Sequence, residues 1–338
     1  MRSASRRSMS SNLSALNADD ALHGALVGAS PAFATTLAQI RRVAASEAPV
    51  LIEGETGTGK ELAARAVHYW GVRDTGPFVP VNCGALPDHL LEAELFGHER
   101  GAFTDAKLAR RGLVAEANGG TLFLDEVDAL SAKAQVTLLR FLQDQCYRPL
   151  GSSRELSSNA RLVAATNQPL AEAARQGQFR CDLLYRLKIL HLELPPLRER
   201  SGDAEQLAQH FVAQLCLKYR LPLKRFDEAT LAWIRHHTWP GNVRELQNWV
   251  HRALLMADTT TIGKTPDARP VEPGASGIAN FQRAKAAAVS RFERDYVLSV
   301  MRKADGNVTR AAQIAGKERR AFGKLIKKYG IDRQALGD

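Results

Sequence analysis

The 338-residue sequence predicts an α/β domain with a largely parallel sheet, a small helical subdomain after it and a separate all-helical end. Three observations carry this reading. Short β-branched runs alternate with amphipathic helical stretches from Ala48 onward, the strand signal disappears after about residue 203, and basic charge collects at the C-terminal end. The length allows two or three domains, and an apolar content of 45% is that of well-cored globular protein.

Strands are expected at Pro49 to Glu53, Phe78 to Val81, Thr121 to Leu124 and Arg161 to Ala165, each a short apolar run between helical stretches. Residues 27–195 are assigned to the α/β subdomain and 196–257 to the helical one, with the boundary near Pro195-Pro196. Residues 258–280 are rich in Pro, Gly, Ser and Thr without periodicity, the composition of a linker, and 281–338 regain helical patterning. Residues 1–26 read as a flexible tail: the first twenty are Ser-rich with three arginines but have no sustained apolar face. A segment so short is not expected to form a sensing domain, so control is expected from a separate protein, from expression level, or from nowhere.

No apolar run approaches the roughly eighteen residues needed to cross a bilayer, so no membrane partner is expected. Cys83, Cys146, Cys181 and Cys216 are scattered, without a CxxC pair or a nearby His pair. That argues against zinc and against a disulfide framework, and for reduced, buried thiols in a cytoplasmic protein. The formal net charge is +10, and residues 281–338 hold 14 Lys and Arg against 6 Asp and Glu. A strongly basic end on a nearly neutral body points to a polyanion, nucleic acid before membrane.

Gly54-Glu55-Thr56-Gly57-Thr58-Gly59-Lys60-Glu61 follows a predicted strand and opens a helical stretch, the context a P-loop requires. Glycines let backbone N–H groups turn inward around a phosphate, the helix N-terminus adds its dipole, and Lys60 can reach the β/γ oxygens. ATP with Mg²⁺ is therefore the expected cofactor pair. Glu61 stands where the general motif has a Ser or Thr for Mg²⁺. Metal ligation is accordingly expected from the next acidic motif, Thr121-Leu122-Phe123-Leu124-Asp125-Glu126. Successive strand residues face opposite ways, so Asp125 can hold Mg²⁺ through water while Glu126 polarises the attacking water.

Glu61 after the P-loop lysine, together with Glu94-Leu95-Phe96-Gly97-His98-Glu99-Arg100-Gly101-Ala102-Phe103-Thr104, resembles the AAA+ domain of sigma-54 activators, the bacterial enhancer-binding proteins. The resemblance runs from about Val27 to Ala257. It continues through Ala164-Ala165-Thr166-Asn167, Phe179-Arg180-Cys181-Asp182-Leu183-Leu184-Tyr185-Arg186-Leu187, Leu194-Pro195-Pro196-Leu197-Arg198-Glu199-Arg200 and Trp239-Pro240-Gly241-Asn242-Val243-Arg244-Glu245-Leu246. It implies that Asn82 restrains Glu126, that Thr166 and Asn167 sit near the γ-phosphate, and that Arg244 senses nucleotide from the helical subdomain. It also implies that Arg180 and Arg186 are arginine fingers reaching a neighbouring subunit's ATP, so hydrolysis needs an oligomer, a hexamer in the family. The plainer alternative for the two arginines is surface ion pairing, since Asp182 lies between them.

The family's GAFTGA loop contacts the sigma-54 promoter complex; here it reads Gly101-Ala102-Phe103-Thr104-Asp105-Ala106. Asp105 replaces a glycine, adds negative charge and accepts left-handed backbone angles better than most residues. Phe103 and Thr104 are retained, which implies contact with sigma-54 RNA polymerase holoenzyme. The alternative is a sigma-54-independent DNA-binding regulator that keeps the ATPase.

In the basic end, Phe292, Tyr296, Val297 and Val300 share one helical face, Val308 to Ala315 forms a second helix and Gly316 a turn. Phe322, Leu325, Ile326 and Tyr329 face the core of a third, leaving Arg319, Arg320, Lys324, Lys327 and Lys328 outward. The arrangement resembles the Fis-type helix-turn-helix of these activators, which implies binding to upstream DNA. An AAA+ unfoldase or clamp loader is disfavoured by this tail and by the GAFT residues.

Overall fold

The structure is a computed structural model that describes residues 26–103, 106, 108–263, 297, 300, 301, 304, 307–315, 322 and 323. The chain divides into two compact units, Met1–Arg269 and Pro270–Asp338.

The first unit is built on five strands: β1 (Val50–Glu53), β2 (Phe78–Asn82), β3 (Thr121–Asp125), β4 (Arg161–Thr166) and β5 (Leu190–Glu193). All pair in parallel, in the order β2-β3-β4-β1-β5. The side-chain period of two divides the strand residues between two cores. Val50, Ile52, Phe123, Val163 and Ala165 pack against α1 (Pro31–Ala44) and α2 (Lys60–Tyr69). Leu51, Leu122, Leu124, Leu162 and Ala164 face the other way, toward α3 (Asp88–Phe96), α4 (Ala132–Asp144) and α6 (Cys181–Leu187), with α5 (Leu170–Arg175) joining that layer. Covered on both faces and paired on both edges, β4 is buried at every position. Its first residue, Arg161, donates to the Val43 and Ala44 carbonyls at 2.9 and 3.3 Å and so closes the C-terminus of α1.

The four expected strands are present, each within a residue of its predicted bounds. The edge strand β5 was not among them. Only one of its faces is covered, so Leu192 is buried while His191 and Glu193 are exposed, and four alternating residues make a weak signal.

The helical subdomain comprises α7 (Asp203–Tyr219), α8 (Glu228–His236) and α9 (Asn242–Met256), closed over Leu207, Phe211, Ile234, Trp239, Leu246 and Val250. It also contains a short parallel pairing of Arg225–Phe226, where the sequence suggested helical periodicity alone, with Thr261–Ile262, which lies in the stretch assigned to a linker. Asp203 at the head of α7 accepts from Ala29 N, Ser30 N and Ser30 Oγ at 2.8–2.9 Å and from Arg200 Nε at 2.8 Å. Burial acts to raise its pKa, but these donors outweigh that and hold the carboxyl below the usual carboxylate range.

In the second unit, α10 (Val308–Ile314) is capped by Asn307, whose Oδ1 accepts from Thr309 N and Arg310 N. Val297, Val300, Met301, Ala304, Ala311, Ala312 and Phe322 form its core, so Val297, Val300 and Phe322 are buried as their spacing suggested. Phe292, Tyr296, Leu325, Ile326 and Tyr329 lie outside the described residues, as do Arg319, Arg320, Lys324, Lys327 and Lys328.

Cys83 and Cys216 are buried free thiols, but Cys146 is half-buried and Cys181 exposed, which corrects the expectation that all four are buried. Cys181 opens α6, whose inward face is made by Leu183, Leu184 and Leu187. Among the described residues no helix is long and apolar enough to cross a membrane.

Candidate active site

Register places the chemistry. Glu53 pairs with Thr166 and Asn82 with Asp125, so β1, β2, β3 and β4 all end on one rim of the sheet. That carboxyl-end rim is where open parallel sheets bind ligands.

Gly54 to Gly59 turn from β1 into α2, with Gly57 at φ +82° and Gly59 at φ +100°, left-handed angles that favour glycine. Thr58 closes the turn through its hydroxyl, which donates to Glu55 O at 2.8 Å. Lys60 Nζ donates to Gly54 O and Glu55 O at 2.8 and 3.1 Å. Burial lowers the Lys60 pKa; the carboxylates of Asp125, Asp128 and Glu126 oppose this, while the Arg244 charge adds to it. Those charges act on an ammonium group already held by two loop carbonyls, partners that phosphate oxygens would replace. Glu61 is turned outward and pairs with Arg65 at 2.7 Å.

At the end of β3, Asp125 Oδ1 accepts from Glu126 N at 3.0 Å, and Glu126 adopts φ +55°. That kink lays the Glu126 carboxylate over Gly84, where an added Cβ would come within 2.4 Å of Oε2. Asn82 Oδ1 accepts from Gly84 N at 2.8 Å, so the asparagine and the carboxylate meet over the same glycine, 3.5 Å and 2.4 Å from its Cβ position. Thr166 donates its hydroxyl proton within 2.7 Å of Asp128 Oδ1, and Asn167 Nδ2 lies 3.4 Å from Thr56 Oγ1. Cys83, buried beside these acids, has its thiol pushed up to about 12, by burial first and then by Asp125, Asp128 and Glu126.

The lid completes the site. Val243 N donates to Gly57 O at 3.0 Å, and a Cβ on Gly57 would stand 2.3 Å from Gly241 O and 3.1 Å from Arg244 Cβ. Beside this contact an apolar cavity is lined by Val27, Phe33, Leu62, Leu194, Leu207 and Val243, together with Thr58 and Gly59. Its mostly apolar walls, with Arg200 at one side, suit a flat heterocycle attached to phosphates in the loop, but at about 40 Å³ the cavity is smaller than a purine and has to widen to admit one. Neither Gly84, Asp128 nor this cavity was singled out in the sequence. Asp128 lies three residues past Asp125 and was within reach of the same acidic motif; the cavity is assembled from five separate chain segments and left no local pattern.

Arg180 is the N-cap of α6 and Arg186 lies in its last turn, both exposed. Arg180 makes a two-pronged pair with Asp182 at 3.0 and 2.7 Å, while Arg186 borders a cleft with Glu47, Arg73 and Arg161. In the GAFTDA segment, Gly101 N donates to Ala106 O at 2.8 Å, Ala106 N to Phe103 O at 3.0 Å, and the Phe103 ring lies 4.9 Å from that of His98. Ala102 packs near Gly151 of the neighbouring loop, while Thr104 and Asp105 lie outside the described residues.

Comparison with known proteins agrees with this geometry. Residues 26–193 match the family described as Sigma-54 interaction domain, and residues 198–266 the AAA+ ATPase lid domain. Transcriptional regulatory protein GlrR of Escherichia coli (strain K12) is 40% identical over 314 residues, covering 93% of this chain and 70% of that protein. C4-dicarboxylate transport transcriptional regulatory protein DctD of Pseudomonas aeruginosa is 40% identical over 318 residues, covering 94% of this chain and 67% of that protein. The crystal structure of NtrX from Brucella abortus in complex with ADP superposes with a TM-score of 0.69 at 32% identity, covering 90% of this chain and 69% of that one. With a P-loop on a five-stranded parallel sheet, a helical lid over it and these relatives, the chain belongs to the family of AAA+ transcriptional regulators that carry a sigma-54 interaction domain.

Proposed function

We propose that the chain is an ATP-hydrolysing transcription regulator that is held on upstream DNA by its C-terminal unit and remodels sigma-54 RNA polymerase holoenzyme. The observation that carries the reading is that the P-loop ending in Lys60 and the carboxylates Asp125 and Glu126 follow strands of one sheet on the same rim, with lid helix α9 bonded to the loop at Gly57, in a chain whose family is defined by sigma-54 interaction.

In this reading the P-loop backbone from Gly54 to Gly59 cradles the phosphates and Lys60 exchanges its two carbonyl partners for β/γ oxygens. The cavity beside Val27 and Leu207 widens to take the adenine as the lid adjusts. A magnesium ion bound with the nucleotide would neutralise phosphate charge. The donors fit it: Asp125 ends β3 on the rim, Asp128 is held by Thr166 at the end of the adjoining β4, and magnesium needs only one or two carboxylates beside phosphate oxygens. Asp125 would reach the ion through water; outward-facing Glu61 does not serve it. Glu126 polarises the attacking water, and Asn82, sharing Gly84 with it, sets where that carboxylate points. Arg180 and Arg186, exposed on α6, reach the ATP of a neighbouring subunit in a ring.

Residues Gly101 to Ala106 form the contact with sigma-54, and Arg319, Arg320, Lys324, Lys327 and Lys328 the contact with DNA. Asp105 favours one competing reading, an ATP-dependent DNA-binding regulator that does not couple to sigma-54. The proposal is tested by ATP hydrolysis at high protein concentration with Mg²⁺. Turnover that is abolished by Lys60→Ala is expected; absence of turnover in the native chain overturns it.

A further inference from the structure

The fully buried Asn242 joins three parts of the chain through one side chain. Its Nδ2 donates to Glu55 Oε2 and to Thr56 O, both at 3.1 Å, in the P-loop. Its Oδ1 accepts from Leu197 N at 2.8 Å, in the segment between sheet and lid. Its own backbone starts α9, two residues before Arg244.

Glu55 is fixed from the far side as well. Arg198 grips both of its oxygens at 2.7 and 2.8 Å, and this pairing, followed by the Asn242 bond, holds the carboxyl below its ordinary pKa. Two requirements coincide at position 242. The backbone is left-handed, φ +53°, which among side-chain-bearing residues Asn tolerates best. The side chain must donate and accept at once, which an aspartate cannot do when ionised and glycine cannot do at all.

Resting on the nucleotide-binding reading above, we infer that Asn242 is a positioning residue for nucleotide: it sets the P-loop backbone at Glu55 and Thr56 according to where the lid stands. Lid and phosphate cradle then move as one unit. Tilting α9 pulls on Thr56 O through Nδ2 and on Gly57 O through Val243 N, the same loop whose N–H groups face the phosphates. The donor–acceptor polarity of the Glu55–Asn242 contact is what transmits the setting.

The test uses the full chain and the fluorescent nucleotide mant-ADP. Asn242→Asp keeps the acceptor for Leu197 N but sets a second anion against Glu55 and Thr56 O. It is expected to weaken mant-ADP binding tenfold or more, with the loss in ATP turnover falling mainly on KM rather than kcat. Adding Glu55→Gln reverses the polarity of the pair, since the new amide donates to Asp at 242, and is expected to recover most of the lost affinity. A purely structural role predicts no such rescue. Native-like binding by Asn242→Asp, or two substitutions that simply add, overturns the inference. Should Asn242→Asp fail to fold by circular dichroism, Glu55→Ala at the half-exposed partner is the deciding variant: severalfold weaker binding supports the coupling, and unchanged binding overturns it. A native chain that binds no mant-ADP overturns the nucleotide reading itself, whereas native binding with indifferent variants overturns the coupling alone.

Discussion

Arg200 Nε donates to Asp203 Oδ2 across 2.8 Å, with the two side chains only 4% and 1% exposed. The pair does more than neutralise itself. Arg200 Nη2 also donates to Val27 O, and Asp203 gathers Ala29 and Ser30, so the segment walling the apolar cavity beside the P-loop is pinned to the lid helix α7. Arg200 further lies 3.8 Å above the Phe33 ring. Removing one partner of such a buried pair leaves an uncompensated charge, which costs about 3–5 kcal/mol. Asp203→Ala is therefore expected to lower stability by that order in urea unfolding and to weaken nucleotide binding; a loss below about 1 kcal/mol would show that the charges find other partners.

His68 gives the fold a pH dependence. It is buried against Phe78, with Nδ1 2.9 Å from Thr121 Oγ1. Burial pushes its pKa down from 6.5 to about 4. The unfolded chain thus binds the proton that the folded chain refuses. The contribution is complete above pH 6.5 and fades as the pH falls toward 4, by at most about 3 kcal/mol. Melting temperature should drop between pH 7.5 and 5, and His68→Leu should flatten the drop. An equal drop in that variant would place the titrating group elsewhere.

Gly84 is expected to act on turnover without touching nucleotide. In Gly84→Ala the added Cβ stands 2.4 Å from Glu126 Oε2, and the flexible carboxylate is the part that yields. The variant should fold normally and bind mant-ADP with native affinity while kcat falls tenfold or more. Normal turnover would mean that Glu126 works from another rotamer.

The Arg180–Asp182 pair is exposed, 47% at each side chain. Screened by water, it contributes little to the fold, so Asp182→Ala should leave the melting temperature unchanged. Arg180→Ala should cut hydrolysis by ~10³ to 10⁵ if the guanidinium serves a neighbour's phosphates. Mixing Arg180→Ala with Lys60→Ala chains should restore part of the activity, because a mixed interface can hold one intact P-loop and one intact arginine. No recovery on mixing contradicts the trans assignment.

Much of this was legible in the sequence where the signal is local. The P-loop, the β3 carboxylates and four strands each announce themselves within a few consecutive residues, and the structure sets them on one rim. What stayed hidden depends on chain segments far apart. The apolar cavity beside the P-loop draws Val27, Leu62 and Leu207 together, Asn242 reaches Thr56 across 186 positions, and Gly84 matters because Glu126 folds over it. Edge strand β5 was missed for a different reason, its single covered face.

The central claim is tested most directly by open-complex formation with sigma-54 RNA polymerase on promoter DNA, comparing the native chain, Asp105→Gly and Lys60→Ala. The account predicts ATP-dependent opening by the native chain and none by Lys60→Ala. Opening by Asp105→Gly alone, or by neither chain that retains Lys60, would contradict it and assign the ATPase to a target other than sigma-54.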